Sequence, residues 1–198
     1  MTLPRLFVLT DRRQLPPGRH LEDVIERCVA AGASAVVVRE LDLPVSRRAQ
    51  LVAHTAATGA LTISARQPLP GADGVHLAAG QPAPNDLPPL VGRSCHRCSE
   101  IRRAVTAATA ATPAYLTISP VAATRSKPGY GPAIGTDGVR RAVEAAGPTP
   151  VLALGGIDPV LARQVRQAGA HGIAVMGEVM RAHDPAAVVA RLLAEVGP

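Results

Sequence analysis

Residues 150–177 read Pro-Val-Leu-Ala-Leu-Gly-Gly-Ile-Asp-Pro-Val-Leu-Ala-Arg-Gln-Val-Arg-Gln-Ala-Gly-Ala-His-Gly-Ile-Ala-Val-Met-Gly, and this stretch decides the fold. Two apolar runs, Pro150–Leu154 and Gly172–Met176, flank a helix-like segment, Pro159–Ala168. Asp158 before a proline is typical of a helix start, and the glycine after the segment supplies the left-handed turn of a helix end. The stretch therefore predicts a strand, a helix and a second strand.

The same alternation runs through the rest of the chain. Most of the apolar runs are continuous rather than alternating, as is typical of strands that are buried on both faces. The other predicted strands are Leu6–Thr10, Ala35–Arg39, Leu61–Ser64, Gly74–Leu77, Leu90–Ser94 and Ala114–Ser119. The other predicted helices are Leu21–Ala31, Ser46–Thr58, Ser99–Thr109, Asp137–Ala146 and Asp184–Val196.

Eight strands with intervening helices predict an α/β fold, a (β/α)8 TIM barrel, as one domain over residues 1–198. The connections after Ser64 and Leu77 are short and rich in proline, so we expect only short helices there and a minimal barrel. The competing fold is an open doubly wound sheet. It is disfavoured because no Gly-x-Gly-x-x-Gly follows the first strand.

Composition limits the classes of partner. The net charge is +6, which a nucleic acid or a small anionic substrate would match equally well. The arginines are scattered, and only Phe7, Tyr115 and Tyr130 are aromatic and could stack on bases. No nucleic acid is therefore expected. No run of eighteen apolar residues predicts a membrane span, and the N-terminus lacks the pattern of a signal peptide. Three cysteines are too few for a disulfide scaffold, so we expect a cytoplasmic protein.

Glycines follow the seventh and eighth predicted strands, at Gly155-Gly156 and Met176-Gly177. Barrel enzymes place their sites at these strand ends, where small residues let backbone N–H groups point at a phosphate. The alternative is that the glycines only make tight turns. Two such turns on consecutive strands favour phosphate.

The chain has a single lysine among twenty arginines, and it lies in the loop after the sixth predicted strand, Ser119-Pro-Val-Ala-Ala-Thr-Arg-Ser-Lys127. An ammonium on a flexible stem can bind a phosphate or move a proton. We expect Lys127 to be catalytic, with Thr124 and Ser126 as hydroxyl neighbours. The alternative is an exposed lysine retained by chance.

Six motifs occur together in one order along the chain. They are Val38-Arg-Glu40, Ala72-Asp-Gly-Val-His-Leu77, Gly92-Arg-Ser-Cys-His96, Ala123-Thr-Arg-Ser-Lys127-Pro-Gly129, Ala153-Leu-Gly-Gly-Ile157 and Gly169-Ala-His-Gly-Ile-Ala-Val-Met176. With them the chain resembles the thiamine phosphate synthase and thiazole tautomerase family over nearly its whole length. The resemblance implies the barrel fold and a thiazole phosphate ligand.

Departures from the family pattern bear on the activity. The synthase joins a pyrimidine diphosphate to thiazole phosphate with magnesium, and typically has Arg-Glu-Lys after strand two, Asn-Asp after strand three and Gly-Gln-x-Asp after strand four. This chain has Leu41 in place of that lysine, Ser64-Ala65 in place of Asn-Asp, and Gln81 in place of the last aspartate. The oxygen ligands that magnesium prefers are missing.

The tautomerase branch of the family needs no metal. Its Gly-Arg-Ser-x-His segment resembles Gly92–His96, so the resemblance implies that His96 is a catalytic histidine. A histidine titrates near neutrality and can both remove and deliver a proton. We therefore expect a thiazole tautomerase that aromatises the product of thiazole synthase. The alternative for His96 is a surface histidine at a helix start.

Two other functions stay open. One is a divergent thiamine phosphate synthase, for which alone magnesium is expected, and in which Arg39, Arg66, Arg125 and Lys127 would hold the diphosphate charge. The other is a non-catalytic protein that binds thiazole phosphate. Cys95-His-Arg-Cys98 also has the spacing of a redox pair or half a zinc site, but no second pair completes it.

The expected site has His96 and Lys127 as catalytic residues, no metal and no cofactor. Its partner is a small phosphorylated thiazole, with neither nucleic acid nor membrane, and a homodimer is left open. The residues expected to bind the substrate or its phosphate are Arg39, Ser64, Arg66, Thr124, Ser126, Gly155, Gly156, Met176 and Gly177.

Overall fold

The predicted barrel is confirmed. The computed structural model describes residues 2–106, 112–124 and 131–197, and eight parallel strands close a barrel in the order β1 to β8, with β1 paired to β8. The strands are β1 (Leu6–Leu9), β2 (Ala35–Val38), β3 (Leu61–Ala65), β4 (Gly74–Leu77), β5 (Leu90–Cys95), β6 (Tyr115–Ile118), β7 (Val151–Leu154) and β8 (Gly172–Val175).

Helices cover the outside of the barrel. They are α1 (Leu21–Ala30), α2 (Val45–Ala57), α3 (Cys98–Thr106), α4 (Gly135–Ala146), α5 (Pro159–Gln167), α6 (Gly177–Met180) and α7 (Pro185–Val196). Asp158 and Asp184 accept hydrogen bonds from the backbone of the first turns of α5 and α7, as their sequences predict. The four-residue α6 is not predicted by the sequence. No helix within the described residues is long and apolar enough to cross a membrane.

Alternate strand residues point into the barrel and fill it. The inward-facing cluster consists of Phe7, Leu9, Ala35, Val37, Ile63, Ala65, Tyr115, Leu152 and Ala174. Tyr115 is fully buried beside Gly92, where a Cβ atom would lie 2.1 Å from the tyrosine ring. Because side chains occupy the interior, a ligand has to bind above it, at the strand ends.

The connections after β3 and β4 are the shortest part of the outer layer. The sequence predicts short helices there, and the structure goes further, because residues 66–73 and 78–89 contain turns and bends but no helix. Prolines interrupt both segments, and a proline inside a helix removes a hydrogen bond and collides with the preceding turn. The backbone after these two strands is therefore positioned by side-chain hydrogen bonds, which matters for the site below.

Candidate active site

A cavity of about 1130 Å³ opens at the C-terminal ends of β6, β7 and β8. It brings together six of the nine predicted binding residues, which are Arg39, Thr124, Gly155, Gly156, Met176 and Gly177. Ser126 and Lys127 lie outside the described residues. The polar backbone of two strand ends and the guanidinium of Arg39 thus border a space large enough for a small organic phosphate.

The turn after β7 is built around two consecutive glycines with positive φ, 100° at Gly155 and 68° at Gly156. The carbonyl of Gly155 accepts a hydrogen bond of 2.9 Å from the Ala122 backbone. A Cβ atom on Gly156 would lie 2.8 Å from both the Ala122 Cβ and the Ala123 carbonyl oxygen. Glycine is therefore required here for both conformation and space, and the β7 turn is fastened to the loop after β6.

The end of β8 supplies backbone donors to the same cavity. Met176 and Gly177 line it, and α6 begins at Gly177. The first N–H groups of a helical turn have no partner within the turn, so they are available to an anion. The geometry suits the predicted phosphate nest, which stays a prediction.

Arg39 follows β2 and reaches across the barrel mouth towards β8. Its Nη1 atom lies 3.7 Å from the Met176 sulfur and 3.8 Å from an Asp11 carboxylate oxygen, and its backbone N–H donates to the Thr10 hydroxyl at 2.9 Å. The side chain is about a quarter exposed, 27%, and that part faces the cavity. A half-buried guanidinium beside the glycine turns is suited to a phosphate.

Two predicted binding residues from β3 lie elsewhere. Ser64 is fully buried with its hydroxyl donating to the Gln67 carbonyl at 2.7 Å, so its assignment to the ligand site is wrong. The cause is strand alternation: Ile63 and Ala65 point into the barrel, and Ser64 therefore points outward. Arg66, just beyond the strand end, is exposed and does not line the cavity.

His96 lies beside the cavity wall. Its Nδ1 atom is 3.0 Å from the carbonyl oxygen and 3.2 Å from the hydroxyl of Ser119, which lines the cavity, and its backbone N–H donates to Glu100 at 2.7 Å. Nδ1 facing a carbonyl oxygen carries the proton. The contact ties the loop after β5 to the end of β6.

Arg181 is a cavity residue that the sequence analysis missed. It follows α6, lines the cavity and donates to the side-chain oxygen of Gln14. The available signal was its position one helical turn beyond Gly177, where a side chain returns towards the strand ends. This signal is weak, because Arg181 does not lie directly at a predicted strand end.

A second polar group lies inside the barrel. The His76 Nδ1 atom is 3.0 Å from the Tyr115 hydroxyl, and its Nε2 atom is 2.9 Å from the Ser94 hydroxyl. Burial, followed by the charges of Arg66 and Arg93, lowers the pKa of His76 to about 4. His76 is therefore a packed histidine of the barrel interior, neutral at physiological pH.

This lowered pKa predicts a loss of stability in mild acid. In the unfolded chain His76 binds a proton below its ordinary pKa of about 6.5, whereas in the folded chain it does so only below about pH 4. The contribution of neutral His76 to the free energy of unfolding is therefore present above pH 6.5 and is lost as the pH falls from 6.5 to about 4. From pH 7 to pH 5 the loss is about 2 kcal/mol. Urea unfolding at both values measures it. In His76→Gln the difference in unfolding free energy between pH 7 and pH 5 should be smaller by about 2 kcal/mol. The same difference in the variant and in the unaltered protein would contradict a neutral His76.

The cysteine pair does not have the environment of a redox or zinc site. Cys95 is buried, and burial, followed by the charge of Glu100, raises the pKa of its thiol to about 12. A thiol with this pKa stays protonated at neutral pH and is a poor nucleophile and a poor ligand. Within the described residues no group of three or more His, Cys, Asp or Glu side chains could hold a metal.

Comparisons with known proteins place this barrel in a family. The family model described as thiamine monophosphate synthase matches residues 6–179. The chain belongs to the thiamine monophosphate synthase family. A thiamine-phosphate synthase of Chloroflexus aurantiacus is 34% identical over 97% of this chain and 92% of its own length. A thiamine biosynthesis bifunctional protein ThiM/ThiE of Symbiobacterium thermophilum is 37% identical over 88% of this chain. The match covers only 38% of the length of that relative.

A solved structure agrees with these relatives. The thiamine phosphate pyrophosphorylase of Pyrococcus furiosus superposes with a TM-score of 0.78 at 28% identity, over 97% of this chain and 95% of its own. The expected thiazole tautomerase activity is therefore wrong, because these similar proteins are named as a thiamine-phosphate synthase and a thiamine phosphate pyrophosphorylase. A short histidine motif does not by itself identify the reaction. The hydrogen bond from His96 Nδ1 to the Ser119 carbonyl also gives this side chain a structural role.

The resemblance to a synthase raises the question of magnesium, and the residues present do not fit it. Ala65 and Gln81 stand where the family pattern has aspartates. The carboxylate of Glu40 accepts hydrogen bonds from the backbone and side chain of Arg12 at 3.1 Å, and Asp11 accepts from Arg13 and Gln14. A hard cation needs carboxylate oxygens that are free to coordinate it, and these are engaged.

Proposed function

We propose that this protein is a thiamine-phosphate synthase, which joins a pyrimidine diphosphate to thiazole phosphate and releases diphosphate. The observation that carries the proposal is the cavity in which the Gly155-Gly156 turn, Thr124 and Arg39 meet, in a chain whose relatives are named for this activity. Backbone donors and the half-buried guanidinium of Arg39 suit the phosphate of a thiazole. The apolar wall formed by Leu9, Leu154 and Ala174 suits its ring.

The chemistry of this transfer agrees with such a site. A bond forms between the thiazole ring nitrogen and the methylene carbon of the pyrimidine, while the bond from that carbon to the diphosphate oxygen breaks and its electron pair leaves with the oxygen. Negative charge therefore grows on the diphosphate, and this step moves no proton. The protein has to orient two substrates and stabilise the departing charge, which are tasks for backbone N–H groups and guanidinium groups.

His96 has a positioning role in this proposal. Because the bond exchange needs no general acid or base, its ring is assigned to holding the carbonyl end of β6 through Ser119, 3.0 Å away. Ser119 in turn forms part of the cavity wall. A loss of the ring would loosen the wall without removing a reacting group.

An enzyme assay tests the proposal. The purified protein, incubated with the pyrimidine diphosphate, thiazole phosphate and magnesium, should form thiamine phosphate and diphosphate in equal amounts, measured by oxidation of thiamine phosphate to its fluorescent thiochrome form. Magnesium is supplied so that a metal requirement cannot hide the activity. If thiazole phosphate binds by calorimetry but no thiamine phosphate forms, the non-catalytic binding function replaces this proposal.

A further inference from the structure

The backbone of Arg66 is unusual. Its φ is +73°, and among the described residues it is the only one other than glycine with a positive φ. A side chain in this region is disfavoured by contact with its own backbone, so surrounding interactions must hold it there. Such outliers concentrate at functional sites, and Arg66 lies directly beyond the end of β3, at the catalytic end of the barrel.

Hydrogen bonds hold the backbone of this outlier on both sides, and Gln81 supplies one of them. The Arg66 N–H donates to the His76 carbonyl at 2.8 Å, and the Arg66 carbonyl accepts from the Gln81 side-chain amide. The oxygen of the same amide accepts from the Ala78 N–H at 3.1 Å. One side chain thus links the loops after β3 and β4, at the position where the family pattern has its second aspartate.

Two further arginines hold the surrounding backbone. Arg93 donates from Nη1 to the carbonyls of Ala78 at 3.2 Å and Gln81 at 2.7 Å, which fixes the loop that carries the amide. Arg48 is 5% exposed and donates to the carbonyl of Ala65, the residue before Arg66. The backbone is therefore held by hydrogen bonds both before Arg66, at Ala65, and at the Arg66 carbonyl.

The guanidinium of Arg66 is free to meet a ligand at the barrel mouth. The side chain is exposed, and within the part of the chain that the structure describes no carboxylate lies within ion-pair distance of it. After burial, the positive charge of Arg66 is a further cause of the lowered pKa of His76, so this charge reaches the β4 end of the barrel.

The balance of charge at this point differs from that of a metal site. Two aspartates need a divalent cation to neutralise them before a diphosphate can approach. Here Ala65 and Gln81 are neutral, so neither of them offsets the positive charge of Arg66. A guanidinium also presents parallel N–H groups that match two phosphate oxygens.

We propose that Arg66, held by Gln81 in its left-handed conformation, binds the diphosphate of the pyrimidine substrate in place of a divalent cation. The inference rests on the proposed synthase function for the identity of the substrate. Arg66 is the binding residue and Gln81 is its positioning residue.

Binding of inorganic diphosphate in excess EDTA, measured by calorimetry, tests the site apart from turnover. The intact protein should bind it, and Arg66→Gly should weaken binding by about tenfold to a hundredfold, the usual worth of a charged hydrogen bond. Glycine suits the positive φ, so this variant removes the guanidinium without adding strain. Arg141→Ala, which removes an exposed arginine of α4, is the control for net charge and should bind as the intact protein does.

The role of Gln81 is tested by kinetics. Gln81→Leu should raise the KM for the pyrimidine diphosphate about tenfold and leave the KM for thiazole phosphate unchanged. In the Arg66→Gly background the same substitution should add nothing, since Gln81 acts through Arg66. A general structural defect would instead alter both KM values and add to the effect of Arg66→Gly, and that result would overturn the positioning role.

The remaining outcomes separate this inference from the proposed function. Thiamine phosphate synthesis that stops in EDTA and is indifferent to Arg66→Gly would overturn the inference and keep the function. Diphosphate binding in EDTA that depends on Arg66, in a protein that makes no thiamine phosphate, would support the anion site and overturn the function.

Discussion

Replacing Gly156 with valine is expected to weaken the binding of thiazole phosphate by about a hundredfold or more. A β-branched residue at φ +68° is strained, and its Cβ atom would lie 2.8 Å from Ala122 and from the Ala123 carbonyl. The turn after β7 or the loop after β6 has to move, and the backbone N–H groups aimed at the phosphate move with them. Losing one or two charge-assisted hydrogen bonds accounts for the size of the effect. Calorimetric titration measures it.

Gly147→Val is the matched control. Gly147, after α4, has a similar φ of +59° and nothing within 4 Å of its Cβ position, so the same substitution introduces the backbone strain away from the cavity. The control should lower the melting temperature and leave the affinity for thiazole phosphate within about threefold. Equal affinities in Gly156→Val and the unaltered protein would remove the phosphate from this turn.

The barrel could be predicted from the sequence because its signals are local and repeated. Val36, Val37 and Val38 illustrate a strand buried on both faces, and the turn residues around Asp158 and Gly169 mark both ends of α5. The barrel closes because each strand pairs in parallel with the next one along the chain, until β8 pairs with β1. Within the described residues the individual boundaries follow to within about one or two residues, which is the ordinary uncertainty of helix and strand ends. The predicted end of the third helix at Thr109 lies outside the described residues.

The facing of individual side chains could not be predicted in the same way. In Leu61–Ala65 the polar Thr62 and Ser64 alternate with apolar residues, but the strand is buried on both faces, so the alternation does not tell which set points into the barrel. A shift by one residue reverses every side chain. The short helix α6 was missed for a related reason, since four residues are too few for a helical period. Polar groups at a barrel mouth are assigned reliably only once the register is known.

The choice between two reactions was wrong for a different reason. His96 and the absent aspartates indicate a tautomerase only if each residue has a fixed role. In the structure, His96 bonds to Ser119, and Gln81 takes up hydrogen bonds between the two loops where an aspartate was expected. A family site can keep its geometry while individual ligands change, so a missing metal ligand does not by itself identify a different reaction.

Arg39 lines the same cavity as the glycine turns, and two contacts fix its position. Its guanidinium lies 3.7 Å from Met176, which lines the cavity, and 3.8 Å from Asp11. If the guanidinium is removed, the phosphate loses a charged donor. The carboxylate of Asp11 also loses a cation and then repels the incoming anion. Both effects act in the same direction.

Arg39→Ala should therefore lower kcat/KM for thiazole phosphate by about a hundredfold to a thousandfold, measured by steady-state thiamine phosphate formation. Arg39→Lys should recover part of the loss, since it keeps the charge but not the two-pronged geometry. Arg13→Ala is the matched control: Arg13 also pairs with Asp11, at 3.4 Å, but its side chain is 63% exposed and does not line the cavity. Its kcat/KM should stay within about threefold. Equal losses in both variants would mean that Arg39 acts only by neutralising Asp11, and a normal Arg39→Ala enzyme would place the phosphate elsewhere.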